Sequence, residues 1–337
     1  MSKAFKRGWW VGLAGVVFVC AVIASIFSSA AAPANKQLKI AGVVAVTSDP
    51  YFISMHCGAS AAAKALGNVS LSWQGPTGAS VSQELTALGS VAVTNPDGVL
   101  LTPFSPTAFI NPVVKLMKRG VPVYLTDGPL SKDVAYRQTF ANVGGAGQVL
   151  AAHIAALMHS QGKLAIIAAM PGDPVEGARY ASLVKIIHAK YPKITVLAPQ
   201  YANDDQNKAA QTVAGLLEAH PDLAAIFTTD GPAGQGAAAA LKTAHKTGKV
   251  KLVSFDATPL EVRGLQDGSI QGLYAQAPYI EGYNAVVGLV KYLRSAGGSK
   301  STVKPAKPYY IPAPLKFVTK ADLSKPDTHK YLYRANC

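Results

Sequence analysis

From Leu38 onward the chain alternates short β-branched apolar runs with longer Ala-rich stretches, and this rhythm constrains the fold more than any other feature. The first strand candidates are 38–46, 69–73, 98–102 and 121–125. A second series reads 163–169, 194–198, 223–228, 250–255 and 270–275. Most are continuously apolar rather than alternating, as parallel strands covered on both faces must be. Helical stretches lie between them at 52–66, 79–91, 148–160, 175–191 and 206–219. Strict βαβα order implies α/β architecture, doubly wound parallel sheets with right-handed crossovers.

At 337 residues the chain is long enough for two lobes. A faint internal repeat supports that division. Asn95-Pro96-Asp97-Gly98-Val99-Leu100-Leu101-Thr102 resembles the run from His220-Pro221-Asp222 to Thr228. A matching distance on, Val121–Pro129 has a counterpart in Val250–Pro259. In each half a strand after Pro-Asp is followed by a helix and a strand ending in Asp. Two Rossmann-like lobes of like topology would then present their strand C-terminal ends to one cleft, where ligands of open α/β sheets bind. We expect residues 35–142 with 277–305 to form the N-terminal lobe, and residues 143–276 with 306–320 the C-terminal lobe. Residues 321–337 form a tail, preceded by a hairpin around Tyr309–Val318.

Residues 1–34 read as a signal peptide. Lys3, Lys6 and Arg7 precede the uncharged apolar run Trp9–Phe27, and small residues follow. Ser28-Ser29-Ala30 or Ala32-Pro33-Ala34 would supply the cleavage site. The competing reading is an uncleaved membrane anchor, since 19 apolar residues nearly span a bilayer. Cys20 follows Val19, where a lipidation motif wants a small residue. Export puts Cys57 and Cys337 in an oxidising compartment. We expect them to bond, with Cys57 on the first helix and the tail long enough to return to it, although sequence alone does not show that they meet.

The formal charge is +14, from 32 Lys plus Arg against 18 Asp plus Glu. Such a balance suits nucleic acid or an anionic surface. The lysines, however, are spread singly, with no arginine-rich run, zinc spacing or RNP-like string, which argues against nucleic acid. Enzyme motifs are also missing: there is no G-x-S-x-G, H-E-x-x-H or G-x-x-x-x-G-K-[ST]. Gly234-Gln235-Gly236-Ala237-Ala238-Ala239 fits the dinucleotide pattern G-x-G-x-x-A, with Asp256 20 residues beyond Gly236. Gly231-Pro232 separates it from its strand, and free NAD is scarce outside the cell. We expect no cofactor and no enzyme.

Polar residues cluster instead at strand ends: Asp49, Asp127, Asp230, Asp256 and Gln276. Any one of them could be a helix cap or turn residue. Five at equivalent positions in one cleft point to a polar ligand, because carboxylates accept paired hydrogen bonds from hydroxyls or hold a cation. Tyr51, Phe52 and Trp73 would offer flat faces to a sugar ring or amine, the plainer reading being core packing. Trp73 ends the second strand and is expected at the cleft edge.

The residues Ser48-Asp49-Pro50-Tyr51-Phe52, Gly120-Val121-Pro122-Val123 up to Asp127, Ala219-His220-Pro221-Asp222, Val253–Pro259 and Ala275-Gln276 give the chain a family likeness. It resembles the type I periplasmic binding proteins of sugar ABC importers, the ribose-binding-protein group, over about Leu38 to Val318. Gly75-Pro76-Thr77 with Ser80-Val81-Ser82 is similar to the rhamnose and furanose-signal receptors of the same superfamily. The resemblance implies two lobes joined by a three-segment hinge, closing on a sugar held by Asp49, Tyr51, Phe52, Asp127, Asp230, Asp256 and Gln276. It also implies delivery to an ABC permease of the inner membrane by a monomeric periplasmic protein. A ligand-sensing domain for a histidine kinase or chemoreceptor is the alternative.

Four positions depart from the ribose pattern. Gly128 and Gly177 stand where site arginines fall, with Arg179 two positions beyond the second. Asp204 replaces an aromatic, and Asp230 replaces an asparagine. Arginine donors are thus expected to be lost and carboxylates gained. That points away from ribose toward another monosaccharide or polyol, with a cationic small molecule as the alternative ligand.

Overall fold

The computed structural model describes residues 36–171, 174–295 and 301–337. The expected signal peptide and its cleavage sites lie outside the described residues. Among the described residues no helix is long and apolar enough to cross a membrane.

The first lobe opens with β1 (Leu38–Val43), α1 (Pro50–Leu66), β2 (Val69–Gln74), α2 (Val81–Val93) and β3 (Gly98–Leu101). It continues with α3 (Ile110–Lys118), β4 (Val123–Thr126) and β5 (Arg137–Ala141). The second lobe contains α4 (Gly147–Leu157), β6 (Gly162–Ala168), α5 (Pro174–Lys190), β7 (Ile194–Val196), β8 (Gln200–Tyr201) and α6 (Gln206–Ala219). After these come β9 (Leu223–Thr228), α7 (Gly231–Thr243), β10 (Lys251–Phe255), α8 (Pro259–Asp267) and β11 (Gly272–Ala275). Helix α9 (Pro278–Ser295) returns to the first lobe, and β12 (Tyr310–Ala313) and β13 (Lys316–Val318) follow.

The two sheets share one plan. Strand order is β2-β1-β3-β4-β5 in the first and β7-β6-β9-β10-β11 in the second. All of these strands pair in parallel. The apolar runs account for this, since β3, β4 and β11 are buried at every position between helices on both faces. The repeat in the sequence therefore maps onto equivalent strands: Pro96-Asp97 and Pro221-Asp222 both lead into the third strand of their sheet.

The last strands correct two expectations. β12 adds in parallel to β5 of the first sheet, whereas β13 adds antiparallel to β11 of the second. The segment around Tyr309–Val318 is thus a crossing between sheets and not a hairpin. Residues 306–313 accordingly belong with the first lobe rather than the second. Backbone bonds from Val303 to Met117 and from Ala306 to Tyr136 hold that segment to the first lobe. Up to β13 the chain crosses between lobes three times, after Ala141, before Pro278 and after Ala313.

Helices α1 and α9 cross closely beside the first sheet. A side chain on Gly58 would overlap the Tyr279 carbonyl, and one on Gly282 would overlap the Met55 carbonyl. Only glycine permits this approach, which brings the N-termini of both helices together at the end of the sheet where the strands finish. The tail packs rather than trailing away. Thr328, Tyr331 and Tyr333 are buried, and Cys337 is disulfide-bonded to Cys57 of α1 with their Cα atoms 5.2 Å apart.

Candidate ligand-binding site

The strand-end carboxylates occupy matched positions in the two lobes. Asp127 follows β4 and Asp256 follows β10, and both adopt the left-handed backbone, with φ of 62° and 79°. Asp tolerates that region better than most residues, and here it turns each side chain off the strand end. The Asp256 N–H donates to the Tyr274 carbonyl, and the Asp127 N–H to the Thr139 carbonyl, each on the neighbouring strand.

Asp49 and Asp230 are the matched helix caps. The Asp49 carboxylate accepts the Tyr51 N–H at 2.7 Å at the start of α1. That of Asp230 accepts the Ala233 N–H at 2.7 Å at the start of α7. The plain capping role is therefore real for both. For Asp230 it is incomplete, because Oδ2 is buried without a hydrogen-bond partner. Burial, with the nearby charges of Asp256 and Asp127, pushes the Asp49 carboxyl up to about 6 against the Tyr51 hydrogen bond. Burial followed by Glu176 and Asp204 raises Asp230 well above the usual carboxylate range.

Around these four lie groups that complete a polar floor. Gln276, 2% exposed, donates from Nε2 to Asp256 Oδ1 at 3.0 Å. The Tyr333 hydroxyl donates to the same oxygen at 2.7 Å. Tyr51 Oη lies 3.1 Å from Glu281 Oε1, and Glu281 Oε2 accepts the Asp127 N–H at 3.2 Å. Burial, reinforced by Asp127, holds the Glu281 carboxyl well above its ordinary range. The Tyr51 ring meets Phe52 edge-on at 5.1 Å and Tyr333 at 5.5 Å, forming one aromatic wall.

The expectation that arginine donors are lost needs correction. Arg179 of α5 is 6% exposed, its guanidinium lies 4.2 Å from the centre of the Phe255 ring, and Nη1 donates to the Thr229 carbonyl at 2.7 Å. Burial opposes its charge, but the fields of Asp256, Glu176 and Asp127 outweigh that and hold it more firmly protonated than usual. Arg179, two residues beyond Gly177 on α5 and so about 200° further round the helix, reaches inward although Gly177 carries no side chain. The acids are thus partly compensated from within the second lobe.

Asp204, in the left-handed region after β8, is exposed. Carboxylate oxygens of Glu176, Asp204 and Asp230 come within 4.8 Å of one another. Glu176 Oε2 accepts the Ala169 N–H and the Thr229 hydroxyl, both at 2.7 Å, and burial lifts its carboxyl to about 7.

Trp73 lies elsewhere. It is on β2, the edge strand, stacked on His56 of α1 at 4.8 Å and covering Gly42 of β1. Packing against the helix, the plainer reading, is what the indole does. The Gly234/Gly236 pattern is also structural. Both glycines lie within α7, where a Cβ would collide with Ser254 and with the Gln206 carbonyl respectively. No phosphate-cradling turn forms there.

A cavity of about 510 Å³ adjoins Asp127 and Gln276. Phe104 and Gly128 of the first lobe, Phe140 on the crossing strand, and Ala178 of the second lobe line it. Two like α/β lobes, joined by three crossings, with acids at matched strand ends beside an inter-lobe cavity, define a two-lobe small-molecule binding protein.

Comparison with known proteins gives the family. Residues 40–298 match the periplasmic binding protein domain, and the chain belongs to that family. It is similar to the ribose import binding protein RbsB of Salmonella typhimurium, 29% identical over 262 residues, which span 76% of this chain and 86% of that protein. It is 26% identical to the D-allose-binding periplasmic protein of Escherichia coli, covering 70% of this chain and 78% of the other. Among solved structures, a solute-binding protein of an ABC transporter from Agrobacterium vitis, bound with α-D-tagatopyranose, superposes with a TM-score of 0.79 at 27% identity. That match covers 88% of this chain and all of the other. The protein is a transport-type binding protein and not an enzyme.

Proposed function

We propose that the protein captures a small neutral polyhydroxylated ligand, a monosaccharide or polyol, between its lobes outside the cytoplasm and delivers it to an ABC permease of the inner membrane. The observation that carries this reading is the pairing of Asp127 and Asp256 at equivalent strand ends with Gln276, Arg179 and an aromatic wall beside them. Carboxylates accept from vicinal hydroxyls, while the guanidinium and amide donate to ring or hydroxyl oxygens. Tyr51 and Phe52 supply the apolar face that a pyranose or furanose presents. Closure follows because a ligand touching both lobes binds the closed form more tightly than the open one. Similar proteins carry ribose, D-allose and tagatopyranose in their names or structures, which supports the same ligand class here. In this reading the protein is a periplasmic monomer that needs no cofactor and binds no nucleic acid.

One observation favours a second reading, in which the ligand carries an amine. Glu176, Asp204 and Asp230 gather three carboxyls where the ribose pattern has an aromatic and an asparagine. Thermal-shift screening and calorimetry on pentoses, hexoses, polyols and amino sugars separate the two, since a ligand selective for the native state raises its melting temperature. A neutral sugar binding more tightly than its amino counterpart supports the first reading. The reverse order supports the second, and binding of neither class would overturn both.

A further inference from the structure

The tail after β13 enters the site. Past the 3-10 turn Pro326–Tyr331, the Tyr333 N–H donates to the Ala257 carbonyl at 2.9 Å, beside Asp256 of the second lobe. One residue on, the Arg334 N–H donates to Ser54 Oγ of α1 at 2.6 Å, and its guanidinium lies 4.6 Å from the centre of the Tyr279 ring at the start of α9. Three residues further, Cys337 is bonded to Cys57. The tail therefore runs from the second lobe to the first, and Tyr333, 6% exposed, is the tail residue that reaches Asp256.

Two contacts give Tyr333 a role beyond filling space. Its hydroxyl occupies Asp256 Oδ1 together with Gln276, which fixes the carboxylate plane and leaves Oδ2 as the free acceptor. Its ring meets Tyr51 edge-on, so the aromatic wall of the first lobe continues through the tail to the acid of the second. Burial, followed by the charge of Asp256, holds the phenol far above its usual range, so it remains a donor.

Resting on the sugar-binding reading, we propose that Tyr333 is a specificity-determining residue of the ligand site, positioning Asp256 and held there by a tail anchored through Cys57–Cys337. Asp256 then presents one acceptor in one direction. A ligand hydroxyl at that place is recognised, and its deoxy counterpart leaves a buried acceptor unpaired.

The test is calorimetry on the full chain with two matched pairs, D-ribose against 2-deoxy-D-ribose and D-galactose against D-fucose. The proteins compared are wild type, Tyr333→Phe, Tyr333→Ala and Cys337→Ser, with melting temperatures measured alongside. Tyr333→Phe keeps the ring and loses only the hydroxyl. It should weaken the better-bound parent sugar by roughly tenfold while changing its deoxy partner little, so that discrimination collapses. Cys337→Ser, which releases the anchor, should move discrimination the same way, as should wild type under reductant. A merely structural tyrosine would lower the melting temperature and weaken both partners equally, and that overturns the proposal. So does a Tyr333→Phe variant that binds each sugar within about twofold of wild type. Binding seen only in the tail variants would make Tyr333 a plug and overturn it as well. If neither wild type nor any variant binds any of the four sugars, the sugar reading itself fails and takes this inference with it.

Discussion

Asp127 and Asp256 terminate the fourth strand of their respective sheets in the same left-handed conformation, each donating its N–H to the carbonyl of the fifth strand. The equivalence comes from the repeat, but the surroundings differ. Asp127 meets Tyr51 and the buried Glu281, whereas Asp256 meets Gln276, Tyr333 and the field of Arg179. One lobe thus sets its carboxylate beside a buried carboxyl, and the other sets its carboxylate among donors.

Replacing Asp256 with Asn should therefore weaken ligand binding by about 1–3 kcal/mol, the usual cost of removing one partner of a buried hydrogen bond. Asn tolerates the left-handed backbone, so the fold should survive. Asp256→Ala adds a backbone penalty of about 1 kcal/mol and should lower the melting temperature as well. Calorimetry beside thermal unfolding separates the two effects. Unchanged affinity in a folded Asp256→Asn protein would remove Asp256 from the site.

Much of this is legible in the sequence. Continuous apolar runs mark most of the nine parallel strands, because burial on both faces leaves no alternation to confuse the pattern, while the edge strand β2 alternates. The strand-end acids could be read because the repeat put them at like positions. β5 has no such apolar run and β12 reads as half of a hairpin, since Arg137–Ala141 and Tyr310–Ala313 are half-polar or contain proline and lie where the chain crosses between lobes. Arg179 escapes the motif because alignment tracks positions along the chain, while helical geometry decides which side chains reach inward. Glu281 and Tyr333 reach the site only through the α1–α9 crossing and the tail, and no local pattern encodes either. The cysteine spacing was the one hint that the tail returns.

Glu84 makes stability depend on pH. It is fully buried on α2, its Oε2 accepts the Phe104 N–H at 3.0 Å, and burial lifts its carboxyl to about 8 against that hydrogen bond. The folded state then keeps a proton that the unfolded chain releases at an ordinary glutamate value of about 4.3. Below that value both states are protonated and the folded state is not penalised. Stability is lost as pH rises from about 4.3 toward 8 and is flat for this group beyond it. Glu84→Gln, which cannot ionise, should show a smaller drop in melting temperature than wild type between pH 5 and 8. Parallel pH profiles for the two proteins would show that Glu84 is not the source.

The Cys57–Cys337 bond joins residues 280 apart in sequence. The chain-entropy account gives about 5.6 kcal/mol for a loop that long, and removing a native disulfide typically costs about 2–5 kcal/mol. Urea unfolding of protein beginning at Asn35 should show a lower midpoint under reductant, and the Cys57→Ser/Cys337→Ser double variant should be lowered without reductant and insensitive to it. Two free thiols in the unreduced, denatured protein would count against the bond.

Trp73 is the remaining reporter, and its position changes what it should report. The indole stacks on the His56 imidazole at 4.8 Å with the planes 16° apart, on the edge strand of the first sheet. Trp9 and Trp10 precede Asn35, so in protein beginning at that residue Trp73 is the only tryptophan. Burial lowers the His56 pKa below its ordinary value, because the imidazolium is less well solvated there than in water. An imidazolium stacked on an indole quenches its emission more strongly than a neutral imidazole does. Emission should therefore fall as pH drops, with a midpoint below about 6.5, and His56→Gln should abolish the transition. A saturating sugar should leave the emission unchanged, because the ring packs against α1 and does not meet the strand-end acids. A saturable emission change on ligand addition, retained in His56→Gln, would mean that lobe closure reaches β2 and would return Trp73 to the ligand's surroundings.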